Sequence, residues 1–166
     1  MQDPIITFEA RSEWYGLKAK DVREVARLRG VRAVPRAPGV IAGLAEVHGR
    51  IVTLIDLERL LDTAGAGPAS SRDALAGVGG ADAYGVVLAL PFDHLGILVR
   101  NEVDVASSAG EDVEPRTRDE ASWLQARLPV GDRLLNLLSV PALLARVEES
   151  IRAGFRPEGR GEDETP

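Results

Sequence analysis

The sequence predicts a mostly β protein built as small barrels, with one C-terminal helix packed onto them. Three observations carry this. Near the start, Ile6, Phe8 and Ala10 alternate with Thr7 and Glu9, the two-residue period of a half-buried strand. In the middle, "AYGVVLAL" and "HLGILVRNEVDVA" are rich in valine and leucine and are separated only by "PFD", which reads as a hairpin. Towards the end, "PALLARVEESI" places Leu143, Leu144, Val147 and Ile151 on one helical face.

Taken in order, "IITFEA" is the first strand, "RSE" a tight turn and "WYGLKA" the returning strand. "KDVREVARL" carries Val22, Val25 and either Ala26 or Leu28. That spacing fits one or two helical turns as well as the start of a strand, and both readings stay open. "PRAPG", residues 35 to 39, is a loop, because two prolines and a glycine remove donors and bend the chain. After Gly49, "RIVTLIDLERLL" reads as one strand, with Ile51, Thr53 and Ile55 on one side and Val52, Leu54 and Asp56 on the other. Apolar residues on both sides imply a strand covered on two faces or curled into a small barrel. Residues 62 to 82 are rich in Gly, Ala and Ser and are expected to form a flexible loop between two lobes.

Gly85 and Gly96 interrupt the valine-rich arms as bulges or points of close backbone approach. Residues 107 to 122 are polar and charged, a second surface loop. "GDRLLNLLSV" gives a last strand opened by a turn, and the helix follows, with Pro141 in its first turn and Ser139 as a candidate cap. One domain is expected over residues 4–153, with 154–166 as a disordered tail.

Composition narrows the function. With 45% hydrophobic residues in 166, the chain can bury a core without staples, and the absence of cysteine removes disulfides, thiolate zinc sites and a cysteine nucleophile together. The expected compartment is the cytoplasm. The opening residues carry no charged region followed by an apolar one, and no stretch approaches the roughly 18 apolar residues of a membrane span. A formal charge of -6 argues against a phosphate-backbone binder, and 4% aromatic residues are too few for base-stacking platforms.

No reaction centre assembles from the motifs. His48 and His94 are the only histidines, and neither stands at ligand spacing from Asp56, Asp82 or Asp93. No serine sits in a G-x-S-x-G elbow, "GAGPASS" lacks the lysine of a phosphate loop, and "GVGGAD" neither follows a strand nor opens a helix. Asp56 is a candidate general base, set against a turn former or the partner of Arg50 or Arg59. The expectation is a binding protein with no catalytic residue, metal or cofactor.

The stretch "YGLKAKDVREVARLRGVRAVPRAPGVIAGLAEVHGRIVTLIDLERLL" resembles the core signature of the chemotaxis coupling proteins, the CheW-like domain. The matching residues are Tyr15-Gly16-Leu17, then Val22, Glu24 and Val25, Pro35 and Pro38, Ile41 and Gly43, Gly49, and Ile51 to Leu57 with Asp56. The likeness runs over about residues 4 to 150. It implies two SH3-like five-stranded barrels packed side by side around a shared core. It implies a non-catalytic adaptor bridging the cytoplasmic tip of chemoreceptors and the regulatory domain of a CheA-type histidine kinase, recruited to receptor arrays. It places family binding determinants at Val22, Glu24, Val25, Val31, Gly43, His48 and Gly49. The turn Glu46 to Arg50 would belong to the same face.

That turn also departs from the family. Where the family has Asn-Leu-Arg-Gly, this chain has Glu46-Val47-His48-Gly49, so an imidazole stands in place of a guanidinium and a bidentate contact is lost. The proline usual in the next strand is Thr53, which restores a backbone donor. A specialised coupler is expected, or one that keeps only one of the two contacts.

Overall fold

The computed structural model describes residues 3–62, 83–107 and 124–154. The expected loop at 62–82 therefore lies outside the described residues except for Asp62, and so do the loop at 107–122 except for Ser107 and the tail beyond Gly154.

The chain opens with β1 (Pro4–Ala10) and β2 (Glu13–Lys18), which pair antiparallel from Ile5↔Lys18 to Ala10↔Glu13. Arg11 and Ser12 both take positive φ, 50° and 63°, the mirror-image turn whose twist suits a two-residue hairpin. A single 3-10 turn, Ala19–Asp21, then leads into β3 (Val22–Arg27). Of the two readings left open for "KDVREVARL", the strand is the one the structure takes from Val22, and the helical turn ends before the apolar residues whose spacing suggested it.

Four more strands complete a second sheet: β4 (Ile41–Val47), β5 (Arg50–Asp56), β6 (Tyr84–Leu88) and β7 (Leu95–Val99), in the order β3-β6-β7-β5-β4. A short helix α1 (Leu57–Leu61) follows β5. The chain returns to the first sheet with β8 (Val103–Ser107), β9 (Leu124–Val130) and β10 (Arg133–Leu138), giving the order β8-β1-β2-β10-β9. Because β10 pairs parallel to β2, the first sheet is assembled from both ends of the chain. Helix α2 (Val140–Gly154) closes the described fold, and its first turn forms when the Leu143 N–H donates to the Ser139 carbonyl at 2.8 Å.

Three apolar clusters explain why strands are apolar on both sides. One lies in the second lobe, with Val47, Val52, Leu54, Val87 and Leu98, and one in the first, with Ile5, Leu128, Leu135 and Leu137. The third joins the lobes. Phe8, Tyr15 and Leu17 from the first sheet meet Ile55, Val86, Leu88, Ile97 and Val99 from the second, sealed by Leu57 and Leu60 of α1 and by Val140, Leu143 and Val147 of α2. Adjacent residues serve different cores: Leu54 faces the lobe interior while Ile55 faces the joint, as do Val87 and Val86. The two-lobe, five-stranded architecture with a shared core and a C-terminal helix is therefore present as expected.

Several details differ from the sequence reading. The run Arg50 to Leu61 is a strand only as far as Asp56, whose carboxylate accepts the Arg59 N–H and starts α1. The second arm of the valine-rich hairpin divides into β7 and β8, which belong to different sheets. Strands β4 and β9 had no assignment, and α2 runs to Gly154, one residue into the span expected as tail. No helix among the described residues is long and apolar enough to cross a membrane.

The helix holds the joint through small side chains as well as large ones. Val147→Ala removes two methyl groups from a 6% exposed position in the shared core, and is expected to cost about 2 kcal/mol in urea denaturation. A loss below about 0.5 kcal/mol would mean that α2 does not seal the joint.

Candidate partner-binding face

The hairpin between β4 and β5 is a two-residue turn in which His48 and Gly49 take φ of 48° and 77°. Positive φ at both centres is the geometry that favours small or turn-forming residues, and glycine at 49 adopts it without cost. His48 is held there with 78% of its side chain exposed, and its Nδ1 lies 2.7 Å from Glu24 Oε2 on β3. Glu24 follows an irregularity in the β3–β6 register, between Val22 and Glu24, and stays 27% exposed.

A chain of charge continues from this pair. Arg23 places Nε 4.0 Å from Glu24 Oε1 and Nη1 2.9 Å from Asp93 Oδ2, and Arg50 Nη2 reaches the same oxygen at 2.6 Å. Three separate segments, β3, the β4–β5 hairpin and the loop before β7, thus meet through His48, Glu24, Arg23, Asp93 and Arg50. Exposed pairs of this kind contribute little stability each, so their effect is to fix side-chain directions on a polar face. Accordingly His48→Ala is expected to change unfolding free energy by less than about 1 kcal/mol while removing the contact to Glu24. A larger loss by thermal or chemical denaturation would make the pair a structural one.

The expected site residues divide on this structure. Glu24, His48, Gly49 and Arg50 come together, and Glu46 is exposed one residue before the buried Val47. Val25 is 39% exposed on β3, and Ile51, opposite Glu46 in the β4–β5 register, is 62% exposed. By contrast, Val22 packs against the shared core and Val31 against the core of the second lobe. Gly43 is buried, and a Cβ there would lie 2.4 Å from the Arg32 carbonyl oxygen. Arg23 and Asp93 were not singled out as binding residues. Their place on the face depends on the pairing of β3, β6 and β7, which no local pattern encodes.

Asp56 does not belong to this face. It is fully buried, and both its oxygens are committed: Arg100 Nη2 donates to Oδ2 at 2.9 Å and Nη1 to Oδ1 at 3.4 Å, while the Arg59 N–H donates to Oδ1 at 3.2 Å. Arg100 Nη1 also donates to Glu58 Oε2 at 3.2 Å. Burial pulls the Arg100 pKa down, but the hydrogen bond it donates to Asp56 and the charges of Asp56 and Glu58 outweigh it and leave the guanidinium above its ordinary value. Of the two arginines expected beside Asp56, Arg59 is there, with Nε at 3.7 Å. Arg50 is not, because it stands at the opposite end of β5 and pairs with Asp93.

Residues 4–148 match the family model described as the CheW-like domain. The chain belongs to that family. This CheW-like domain is 26% identical over 113 residues to a "Chemotaxis protein CheW" of Treponema pallidum (strain Nichols), an alignment covering 68% of this chain and 62% of that relative's length. Its fold is similar to the crystal structure of the scaffolding protein TtCheW from Thermoanaerobacter tengcongensis. The TM-score is 0.65 and the identity 20%, over 84% of this chain and 86% of the other. The CheW-like architecture of two lobes around one joint is thus shared at low sequence identity.

Proposed function

We propose that this CheW-like domain is a non-catalytic adaptor in chemosensory signalling. In this reading it joins the cytoplasmic tip of chemoreceptors to the regulatory domain of a CheA-type histidine kinase and is cytoplasmic, recruited to receptor arrays. Family membership over residues 4–148 carries the reading. The relative named as a chemotaxis protein and the solved neighbour named as a scaffolding protein support it. The geometry is compatible: a strand bearing the exposed Val25, beside a hairpin bearing the exposed Ile51 and a fixed polar row, offers apolar contact bordered by charge.

The altered turn favours a second reading, in which only the receptor or only the kinase is bound. His48 keeps a contact to Glu24 but offers one ring in place of a planar fork of five donors. Co-sedimentation tests both readings. Kinase that enters the pellet of assembled receptor tips only when this chain is added supports the adaptor, and kinase left in the supernatant argues for one-sided binding. His48→Arg is expected to strengthen binding to whichever partner reads position 48. Unchanged affinity for both would show that the substitution does not set specificity.

A further inference from the structure

The connection between β3 and β4 is one-sided in charge. No acidic residue lies between Glu24 and Glu46, whereas Arg27, Arg29, Arg32 and Arg36 all fall there, in a chain of formal net charge -6. Arg29, Arg32 and Arg36 are exposed, and none of the three makes an ion pair with a described residue. Their backbone is held: Arg32 and Leu44 exchange two N–H to carbonyl bonds at 2.8 Å each, and the Ala37 N–H donates to the Val34 carbonyl at 3.2 Å. Three guanidinium groups are therefore presented on an anchored segment that carries no carboxylate of its own and, among the described residues, meets none in an ion pair.

The end of α2 lies against this segment. A Cβ built on Gly154 would sit 3.6 Å from Cβ of Pro38, two residues beyond Arg36. The sequence after Gly154 reads "FRPEGRGEDETP", with Glu162, Asp163 and Glu164 consecutive. The eight residues from Gly154 to Glu162 can span up to about 28 Å, and the six from Pro38 back to Arg32 at most about 21 Å, so the acidic run can reach the arginines.

We propose that the arginine-bearing β3–β4 connection is a docking surface for the acidic run Glu162 to Glu164 of this same chain. Guanidinium groups pair with carboxylates in charge-assisted, often bidentate geometry, and a short tether raises the effective concentration of the run without needing high intrinsic affinity. An anionic membrane fits less well. Three free arginines fall short of the roughly four to eight cations of a lipid-binding cluster, and the chain as a whole is acidic. Once docked, the run competes with any acidic partner surface for the same guanidinium groups. The proposal goes beyond the adaptor reading and does not rest on it.

The test compares NMR spectra of the full chain with those of its E162Q/D163N/E164Q variant, whose changes lie outside the described fold. Support would be shifts of backbone amides and arginine Nε–H signals confined to residues 29–38. These would be lost in about 1 M salt, where the screening length falls to about 3 Å, and restored when a peptide of residues 155–166 is added to the variant. Unmoved signals at 29–38, or shifts centred on another surface, would overturn the proposal. So would unmoved signals combined with phosphatidylserine vesicle binding that disappears in R29Q/R32Q/R36Q, which would assign the arginines to lipid.

Discussion

Asp56→Ala is expected to destabilise the fold by about 4 kcal/mol, lowering the midpoint of thermal unfolding by about 8–16 °C. The carboxylate is fully buried, carries two hydrogen bonds from Arg100, and caps α1 through the Arg59 N–H. Its removal takes two hydrogen bonds and a buried counter-charge from a largely buried guanidinium and deprives the helix of its cap, each a recognised large cost. Arg100→Met should cost less, because Asp56 then keeps the Arg59 amide. The raised Arg100 pKa adds a pH expectation: the cation's contribution is complete below the pKa of a free arginine and is lost only above the still higher folded value. Arg100 itself therefore contributes no titration of stability at ordinary pH. Chemical denaturation of the three proteins at neutral pH checks this, and a loss below about 1 kcal/mol for Asp56→Ala would show that the cluster does not hold the β5–α1 corner.

Gly43→Val is the second substitution with a large expected effect, about 3–4 kcal/mol or failure to fold. Its φ of 155° is unfavourable for any side chain, and the added Cβ would meet the Arg32 carbonyl oxygen at 2.4 Å and Val31 Cγ1 at 2.9 Å. The obstruction is backbone, which cannot rotate aside. Arg32 and Leu44 bridge β4 to the β3–β4 connection at that point, so the strain would open the closure of the second lobe. Circular dichroism during thermal melting would show it. A melting midpoint within about 3 °C of the parent would mean that the close approach is not needed.

These two residues show where the sequence was legible and where it was not. Alternation at Ile6, Phe8 and Ala10 exposed β1, and the stripe from Leu143 to Ile151 exposed α2, because each pattern depends only on which face an element buries. Apolar residues on both faces of β5 were read as a strand covered on two faces or curled into a small barrel, and both faces are covered, Leu54 serving one core and Ile55 the other. Strand β9 had no assignment although Ala126 and Leu128 alternate and are buried, and it carries Pro129 near its end. The proline is tolerated because β9 is the last strand in the order of its sheet. The partner of Asp56 was missed for another reason. Arg100 lies 44 residues away and reaches the carboxylate only because β5 and β7 pair parallel, with Asp56 opposite Leu98.

The candidate face was legible only in part. Glu24 and His48 were singled out because neither residue type is expected in a core, and they do meet at 2.7 Å. Asp93, which draws Arg23 and Arg50 onto the same oxygen, had no local signal. Gly43 and Val31, singled out together with them, have positions explained by packing.

Calorimetric titration of this chain against two separate targets from its own cell, the kinase regulatory domain and the receptor signalling tip, tests the adaptor reading most directly. Saturable binding to both is the predicted result. Binding to one alone would contradict bridging and leave a specialised component, and heat of dilution alone with both targets would contradict the adaptor reading altogether.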